Sequence, residues 1–237
     1  MSAATGIRVL LADDQPLFTS GLRLVIDAQP DLVCVGEVTT GDTALEQLSE
    51  VQPDILLLDL RMPGGTGLDV LRRLPAEVEV RTIVLTTIRD RRAVLEALRL
   101  GASSYLTKDA RPADLIDTIR RVHAGEVAVG AQDLLDLLAA EVREPLVEPV
   151  LPQLTPRERE VFLLCARGLS NAEIAAATTV AESTVKSQLR SVMHKLDLRS
   201  RVQIAIYAYE NGIARPGSQQ RAPASPIDRP SVATGQQ

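Results

Sequence analysis

Five short apolar runs alternate with stretches of helical period over the first 125 residues, and this alternation constrains the fold more than any other feature. Continuous apolar runs of this kind are expected of strands that are covered on both faces. Strands that alternate with helical segments form parallel sheets joined by crossover helices. We therefore predict a doubly wound α/β domain with a five-stranded parallel sheet, its strands at residues 7–11, 32–38, 54–58, 82–86 and 104–107.

A proline-rich segment separates this region from a second one, in which the apolar residues have only helical spacing. A short amphipathic stretch at residues 133–142 comes first, and four prolines then fall within twelve residues, which predicts an extended linker. The residues after Arg215 are rich in Pro, Ser, Ala and Gln, a composition typical of disorder. The predicted organisation is an α/β domain, a linker with a short helix, an all-α four-helix domain and a disordered tail, at residues 1–125, 126–153, 154–215 and 216–237.

Charge is divided unequally between the two halves of the chain. Residues 1–152 carry 15 Lys and Arg against 24 Asp and Glu, whereas residues 153–237 carry 11 against 7. A basic module beside an acidic one indicates that the second half meets nucleic acid.

The sequence also has features that bear on compartment. It has no apolar run near the roughly 18 residues of a membrane helix, and its first residues lack the basic start and apolar core of a signal peptide. We therefore expect a cytoplasmic protein without a membrane partner. Cys34 and Cys165 each lie within an apolar run, which favours buried, reduced thiols over a disulfide.

Polar side chains follow four of the predicted strands. Asp13 and Asp14 follow the first, Asp59 follows the third, Thr86 ends the fourth and Lys108 follows the fifth. These groups gather at one edge of a parallel sheet, where three carboxylates repel one another unless a hard divalent cation such as Mg²⁺ joins them. The lysine and the hydroxyl suit a phosphoryl group, which leaves one aspartate as its nucleophile. Taken singly, the aspartates could also be helix-capping or turn residues.

The motifs around these residues resemble the receiver domain of bacterial two-component response regulators. They are Asp13-Asp14, DLRMPGGTGLD at 59–69, VLTT ending at Thr87 and GASSYLTKD at 101–109. The resemblance implies the strand order 2-1-3-4-5 known for that fold. Asp109 follows the lysine where many receivers have a proline, a change typical of the NarL/FixJ branch.

The same resemblance implies a role for each of these side chains. Asp59 would be the phosphoacceptor, with Mg²⁺ held by Asp14, Asp59 and the backbone carbonyl of Arg61 and with Asp13 assisting. Lys108 would contact the phosphoryl group. Thr86 and Tyr105 would form the switch pair that reports phosphorylation.

Three helix starts in the second region carry the capping-box signature, at Thr155, Ser170 and Ser200. A fourth helix is predicted at residues 182–196, with Val185, Leu189, Val192 and Leu196 on one face. Its opposite face is polar and partly cationic. Such a strip can be a plain solvated face, but its place after two short helices indicates a helix-turn-helix.

Residues 154–210 closely resemble the LuxR-type DNA-binding domain. The resemblance implies that Lys186, Ser187 and Arg190 face base edges and that Thr184 and Arg157 contact phosphates. It also implies a dimer surface on the last helix, formed by Val202, Ala205, Ile206 and Tyr209. The alternative for these four side chains is plain core packing.

The sequence thus favours a response regulator that is not an enzyme. A sensor histidine kinase would phosphorylate Asp59 and so control homodimer formation and binding to promoter DNA, and the resemblance also allows RNA polymerase as a partner. One alternative is a LuxR-type regulator that works without phosphorylation. The other is a Mg²⁺-dependent phosphohydrolase, which needs a second aspartate two positions after the nucleophile, where this chain has Arg61.

Overall fold

The five predicted strands form one parallel sheet in a computed structural model that describes residues 6–75, 78–87, 91–126, 128–139, 151 and 153–213. Their order, β2-β1-β3-β4-β5, confirms the order that the resemblance implied. The strands are β1 (Ile7–Ala12), β2 (Leu32–Val38), β3 (Ile55–Asp59), β4 (Arg81–Thr86) and β5 (Ser104–Thr107).

Strand β3 begins one residue later than predicted and extends to Asp59. Asp54 lies directly before the strand, and its carboxylate accepts a hydrogen bond from the amide of Arg8 at 2.8 Å. Strand β1 is also longer than predicted and ends at Ala12, and β4 begins at Arg81.

Five helices in the described part of the chain cover the two faces of the sheet. They are α1 (Pro16–Asp27), α2 (Gly41–Val51), α3 (Gly67–Arg73), α4 (Arg91–Arg99) and α5 (Pro112–His123). Leu10 and Leu56 pack with α2, α3 and α4 on one face, whereas Val9 and Leu57 pack with α1 and α5 on the other. Both faces of the strands are therefore buried, which is why the strand sequences are apolar without alternation.

The predicted amphipathic stretch forms helix α6 (Ala131–Ala139). Leu134, Leu137 and Leu138 are buried in the cluster that contains α4, so α6 lies on the α4 side of the α/β region. The predicted end of this stretch at residue 142, the prolines at 145, 149 and 152 and the predicted tail at 216–237 lie outside the described residues.

Four helices form the second region over residues 153–213, as predicted: α7 (Pro156–Ala166), α8 (Asn171–Thr178), α9 (Glu182–Lys195) and α10 (Arg201–Glu210). Phe162, Ile174, Val185 and Val192 are completely buried in its core. All three predicted capping boxes are present, at the starts of α7, α8 and α10. Three residues separate the end of α8 from the start of α9, so α8 and α9 form the helix-turn-helix arrangement that the sequence indicated.

Helix α10 packs against both regions. Ile204 and Ala208 lie in the core of the helical region, whereas Val202, Ala205 and Ile206 are buried in the cluster of the α/β region that contains α4 and α6. Tyr209 is partly buried against the same cluster. The four side chains expected at a dimer surface therefore contact the α/β region of their own chain.

Two further predictions concern the two cysteines and membrane-spanning segments. Cys34 and Cys165 are buried free thiols, as predicted. No helix in the described residues is long and apolar enough to cross a membrane.

Candidate functional site

Three carboxylates meet at the carboxyl edge of the sheet. Strand register sets two of them side by side, because Ala12 pairs with Leu58 and the next residues are Asp13 and Asp59. Carboxylate oxygens of Asp13, Asp14 and Asp59 all lie within 4.8 Å of one another. Oxygen donors at this spacing suit a hard divalent cation, so the cluster fits the ion that the sequence implied.

Local hydrogen bonds fix the two buried carboxylates. Asp13 Oδ1 accepts the amide of Gln15 at 3.0 Å, and Asp59 Oδ1 accepts the amide of Arg61 at 3.1 Å. The second bond keeps residue 61 beside the cluster, where its carbonyl was expected to be a ligand. Gly67 is required next to them, since a Cβ there would lie 2.3 Å from the carbonyl oxygen of Asp59.

Lys108 supplies the positive charge of the cluster. Its Nζ lies 2.7 Å from Asp59 Oδ2 and 2.7 Å from Asp13 Oδ2, and its side chain is 12% exposed. Burial acts to lower the pKa of Lys108, but its hydrogen bonds to Asp13 and Asp59 outweigh burial and raise the pKa above its ordinary value. Burial raises the pKa of Asp13, although the hydrogen bond from Lys108 acts to lower it. The lysine is therefore held in its charged form.

The expected switch residues line one cavity of about 200 Å³ at the ends of β4 and β5. Thr86 is buried at the end of β4, and its carbonyl accepts the amide of Lys108 at 2.8 Å. Tyr105 is half-buried, and burial together with the negative charge of Asp133 raises the pKa of its hydroxyl. Asp133 and Leu137 of α6 form another wall of the cavity. The cavity thus connects the strand ends to α6.

One neighbour of the lysine was missed from the sequence. The ring of Phe18, in the first turn of α1, has its centroid 5.0 Å from the Nζ of Lys108. The signal available in the sequence was its position four residues after Asp14, in the first turn of the helix that Pro16 opens.

The side chains expected to bind DNA lie on the outer face of the helical region. Thr184, Lys186, Ser187 and Arg190 are all exposed on α9, opposite the buried Val185 and Leu189. Arg157 is exposed on α7, where its guanidinium donates to Glu160 at 2.5 Å and to the carbonyl of Thr178 at 3.4 Å. A polar helix face of this width fits the major groove of DNA.

Glu158 connects α7 to α9, a role that the sequence did not reveal beyond its capping position. Its carboxylate accepts hydrogen bonds from Ser191 Oγ at 2.6 Å, Lys195 Nζ at 2.7 Å and the amide of Thr155 at 2.8 Å. These bonds, that of Lys195 most strongly, lower the pKa of Glu158 to about 2. Glu158 is therefore ionised, and its carboxylate holds α9 against α7.

Polar contacts reinforce the packing of α10 on the α/β region. Arg99 and Glu210 form an ion pair at 2.7 Å, and Gln203 Nε2 donates to the carbonyl of Arg99 at 2.7 Å. Nearby, Ser200 Oγ donates to the carbonyl of Ala102 at 3.2 Å. The expected dimer face of α10 is thus covered, whereas the expected DNA-binding face of α9 is open.

Two family models match separate parts of the chain. Residues 9–120 match the response regulator receiver domain, and residues 152–208 match the luxR family of bacterial regulatory proteins. The nitrate/nitrite response regulator protein NarL of Escherichia coli (strain K12) is 36% identical over 216 residues, which cover 90% of this chain and all of NarL.

Two solved structures are also similar. A two-component response regulator of the LuxR family from Aurantimonas sp. SI85-9A1 is 29% identical with a TM-score of 0.53, over 58% of this chain and 99% of that one. A structure of two RcsB dimers bound to two parallel DNAs is 25% identical with a TM-score of 0.51, over 86% of this chain and 98% of that one.

Proposed function

The chain belongs to the two-component response regulators with a LuxR-type DNA-binding domain, and from this membership we propose a transcription factor that is switched by phosphorylation of Asp59. A sensor histidine kinase donates the phosphoryl group. Phosphorylation then controls dimerisation and sequence-specific binding to promoter DNA. The receiver domain occupies residues 1–125 and the DNA-binding domain residues 154–215, as the sequence predicts.

The observation that carries this proposal is the position of Lys108 between Asp13 and Asp59. An oxygen of Asp59 attacks phosphorus, a P–O bond forms, and the bond from phosphorus to the imidazole nitrogen of the donor breaks. Lys108 then pairs with a phosphoryl oxygen in place of the carboxylate charge that the new bond removes. Mg²⁺, when bound, would supply further positive charge to balance the phosphoryl group. Asp13, Asp14 and Asp59 are the carboxylates that would hold this ion.

An apolar surface on α1 supports a protein as the donor. Leu17 is 90% exposed and Leu24 is 75% exposed on the helix that follows the acidic cluster. Burial of leucine side chains against a partner stabilises the complex, because it removes apolar surface from water. A kinase domain that covers α1 would bring its phosphohistidine towards Asp59.

Control of dimerisation is supported by the place of α10. One face of α10 cannot contact the receiver domain and a second copy at the same time, and the receiver domain covers Val202, Ala205 and Ile206. We propose that the phosphoryl group draws Thr86 towards it, that Tyr105 moves into the cavity and that α6 and then α10 are released. RcsB, a relative, binds DNA as dimers.

The proposal is tested by sedimentation of the full chain. Acetyl phosphate with Mg²⁺ should convert the monomer to a dimer, and Asp59→Asn should stay monomeric. Asp109→Asn is the matched control, since Asp109 is an exposed aspartate next to Lys108, and it should dimerise like the unmodified chain. Equal dimerisation of Asp59→Asn would favour the alternative of a regulator that works without phosphorylation.

A further inference from the structure

We infer that the ring of Phe18 is a positioning group for Lys108, which it holds over the phosphoacceptor while the surrounding carboxylates change partners. The inference rests on the proposed phosphorylation of Asp59. It concerns how the ammonium group of Lys108 is kept in place through that step, and the ring is its one uncharged partner among the described residues.

The ammonium group of Lys108 has three partners in the described part of the chain. Oxygens of Asp13 and Asp59 are each 2.7 Å from Nζ, and the centroid of the Phe18 ring is 5.0 Å away. A cation within about 6 Å of a ring centroid is attracted by the negative face of the ring, and the attraction is stronger where water is excluded. Lys108 is only 12% exposed, so its contact with Phe18 is of the stronger kind.

The turn that carries Asp13 also fixes Phe18. The amide of Gln15 donates to Asp13 Oδ1 at 3.0 Å, and the amide of Phe18 donates to the carbonyl of Gln15 at 3.0 Å. The ring further packs on the core beneath α1, beside Leu22. The ring is therefore held in a set position relative to the acidic cluster, as a positioning group must be.

Phosphorylation leaves the ring as the partner that does not change. Asp59 loses its negative charge when one of its oxygens forms the bond to phosphorus, and Asp13 is expected to assist in holding Mg²⁺. Lys108 must then exchange a carboxylate for a phosphoryl oxygen. Phe18 carries no charge and takes part in neither event, so its attraction for the ammonium group persists throughout.

The first test observes the contact itself in the unphosphorylated chain. The protein has three lysines, Lys108, Lys186 and Lys195, so lysine-selective isotope labelling gives few and assignable NMR signals. The ring shifts the resonances of the methylene group next to the ammonium of Lys108. Phe18→Leu should remove this shift and Phe18→Tyr should keep it, with the other two lysines unchanged. An identical Lys108 signal in all three proteins would overturn the inference.

The second test measures phosphorylation of the full chain by acetyl phosphate with Mg²⁺. Phe18→Leu should slow the reaction and shorten the lifetime of the phosphorylated chain by about two- to thirty-fold, the range that a cation–π contact implies. Phe18→Tyr should retain the unmodified rate and lifetime.

Leu22→Ala is the control for packing, since Leu22 lines the same apolar cavity as Phe18. It should lower the thermal midpoint without changing the rate. An unchanged rate in Phe18→Leu, or equal slowing in Leu22→Ala, would overturn the inference. Should the unmodified chain take no phosphoryl group, the proposed function fails, while the lysine spectra still decide whether Phe18 holds Lys108.

Discussion

The guanidinium of Arg99 in α4 lies 2.7 Å from the carboxylate of Glu210 in α10, so an ion pair joins the receiver domain to the DNA-binding domain. The two side chains are 29% and 34% exposed. Ion pairs with this exposure are worth up to about 1 kcal/mol. The apolar contacts of Val202 and Ile206 therefore carry most of the docking, and the ion pair adjusts its strength.

Reversing one charge of this pair should release α10 without phosphorylation. In Arg99→Glu or Glu210→Arg, two like charges face each other, so we expect the monomer–dimer equilibrium to shift several-fold towards the dimer in sedimentation experiments. The double variant restores opposite charges and should return to the monomer. Arg120→Glu, which breaks a 2.7 Å ion pair with Asp31 inside the receiver domain, is the control. If the single variants stay as monomeric as the unmodified chain, the receiver domain does not prevent dimerisation by covering α10.

The link between α7 and α9 should fail in acid. Since hydrogen bonds lower the pKa of Glu158 from 4.5 to about 2, the ionised carboxylate stabilises the folded state above pH 4.5. This contribution is lost as the pH falls from 4.5 to 2, because the unfolded chain takes up the proton first. The protection factors of the α9 amides, which compare each exchange rate with that of an unfolded chain at the same pH, should fall over this interval. Glu158→Gln should remove the pH dependence, whereas Glu160→Gln should not. If the pH dependence persists in Glu158→Gln, a group other than Glu158 causes it.

Side chains on α9 should decide the DNA sequence that is bound. Lys186→Ala and Arg190→Ala should each lose about 1 to 3 kcal/mol of discrimination on DNA selected in vitro by the unmodified protein. Arg157→Ala should weaken binding to all sequences alike and reduce the salt slope by about 1. Arg159→Ala, an exposed arginine on the same helix as Arg157, serves as the control for discrimination. Undiminished selectivity in both α9 variants would exclude this face as the base-reading surface.

The start of α9 should be open to stabilisation. Ala181 occupies its N-cap position with extended backbone and forms no side-chain cap, whereas serine or threonine caps α7, α8 and α10. Ala181→Ser should add about 0.5 to 2 kcal/mol of local stability and slow amide exchange at Ser183. Ala176→Ser, at an exposed position inside α8, should add none. Unchanged exchange at Ser183 would mean that its amide already donates a hydrogen bond to another acceptor.

The sequence predicted the elements and the acidic site because local signals determine both. Apolar runs mark the strands, and a parallel sheet brings the residues after them to one edge, so the meeting of Asp59 with Lys108 could be predicted from position alone. The strand order came instead from the resemblance, since apolar runs do not say which strands are neighbours.

Contacts between distant elements could not be predicted in this way. The apolar stripe of Val202, Ala205 and Ile206 is the same whether the receiver domain or a second copy covers it. Glu158 has the capping signature, which gave no sign of its bonds to Ser191 and Lys195. These contacts depend on how helices pack in three dimensions rather than on spacing along the chain.

Phosphorylation of Asp59 is tested most directly by the mass of the intact protein after incubation with acetyl phosphate and Mg²⁺. We expect the unmodified chain and Asp109→Asn to gain one phosphoryl group, which peptide mapping assigns to Asp59. Asp59→Asn should gain none, since its amide is not a nucleophile for phosphorus. Equal labelling of Asp59→Asn, or a phosphoryl group mapped to another aspartate, would contradict the account.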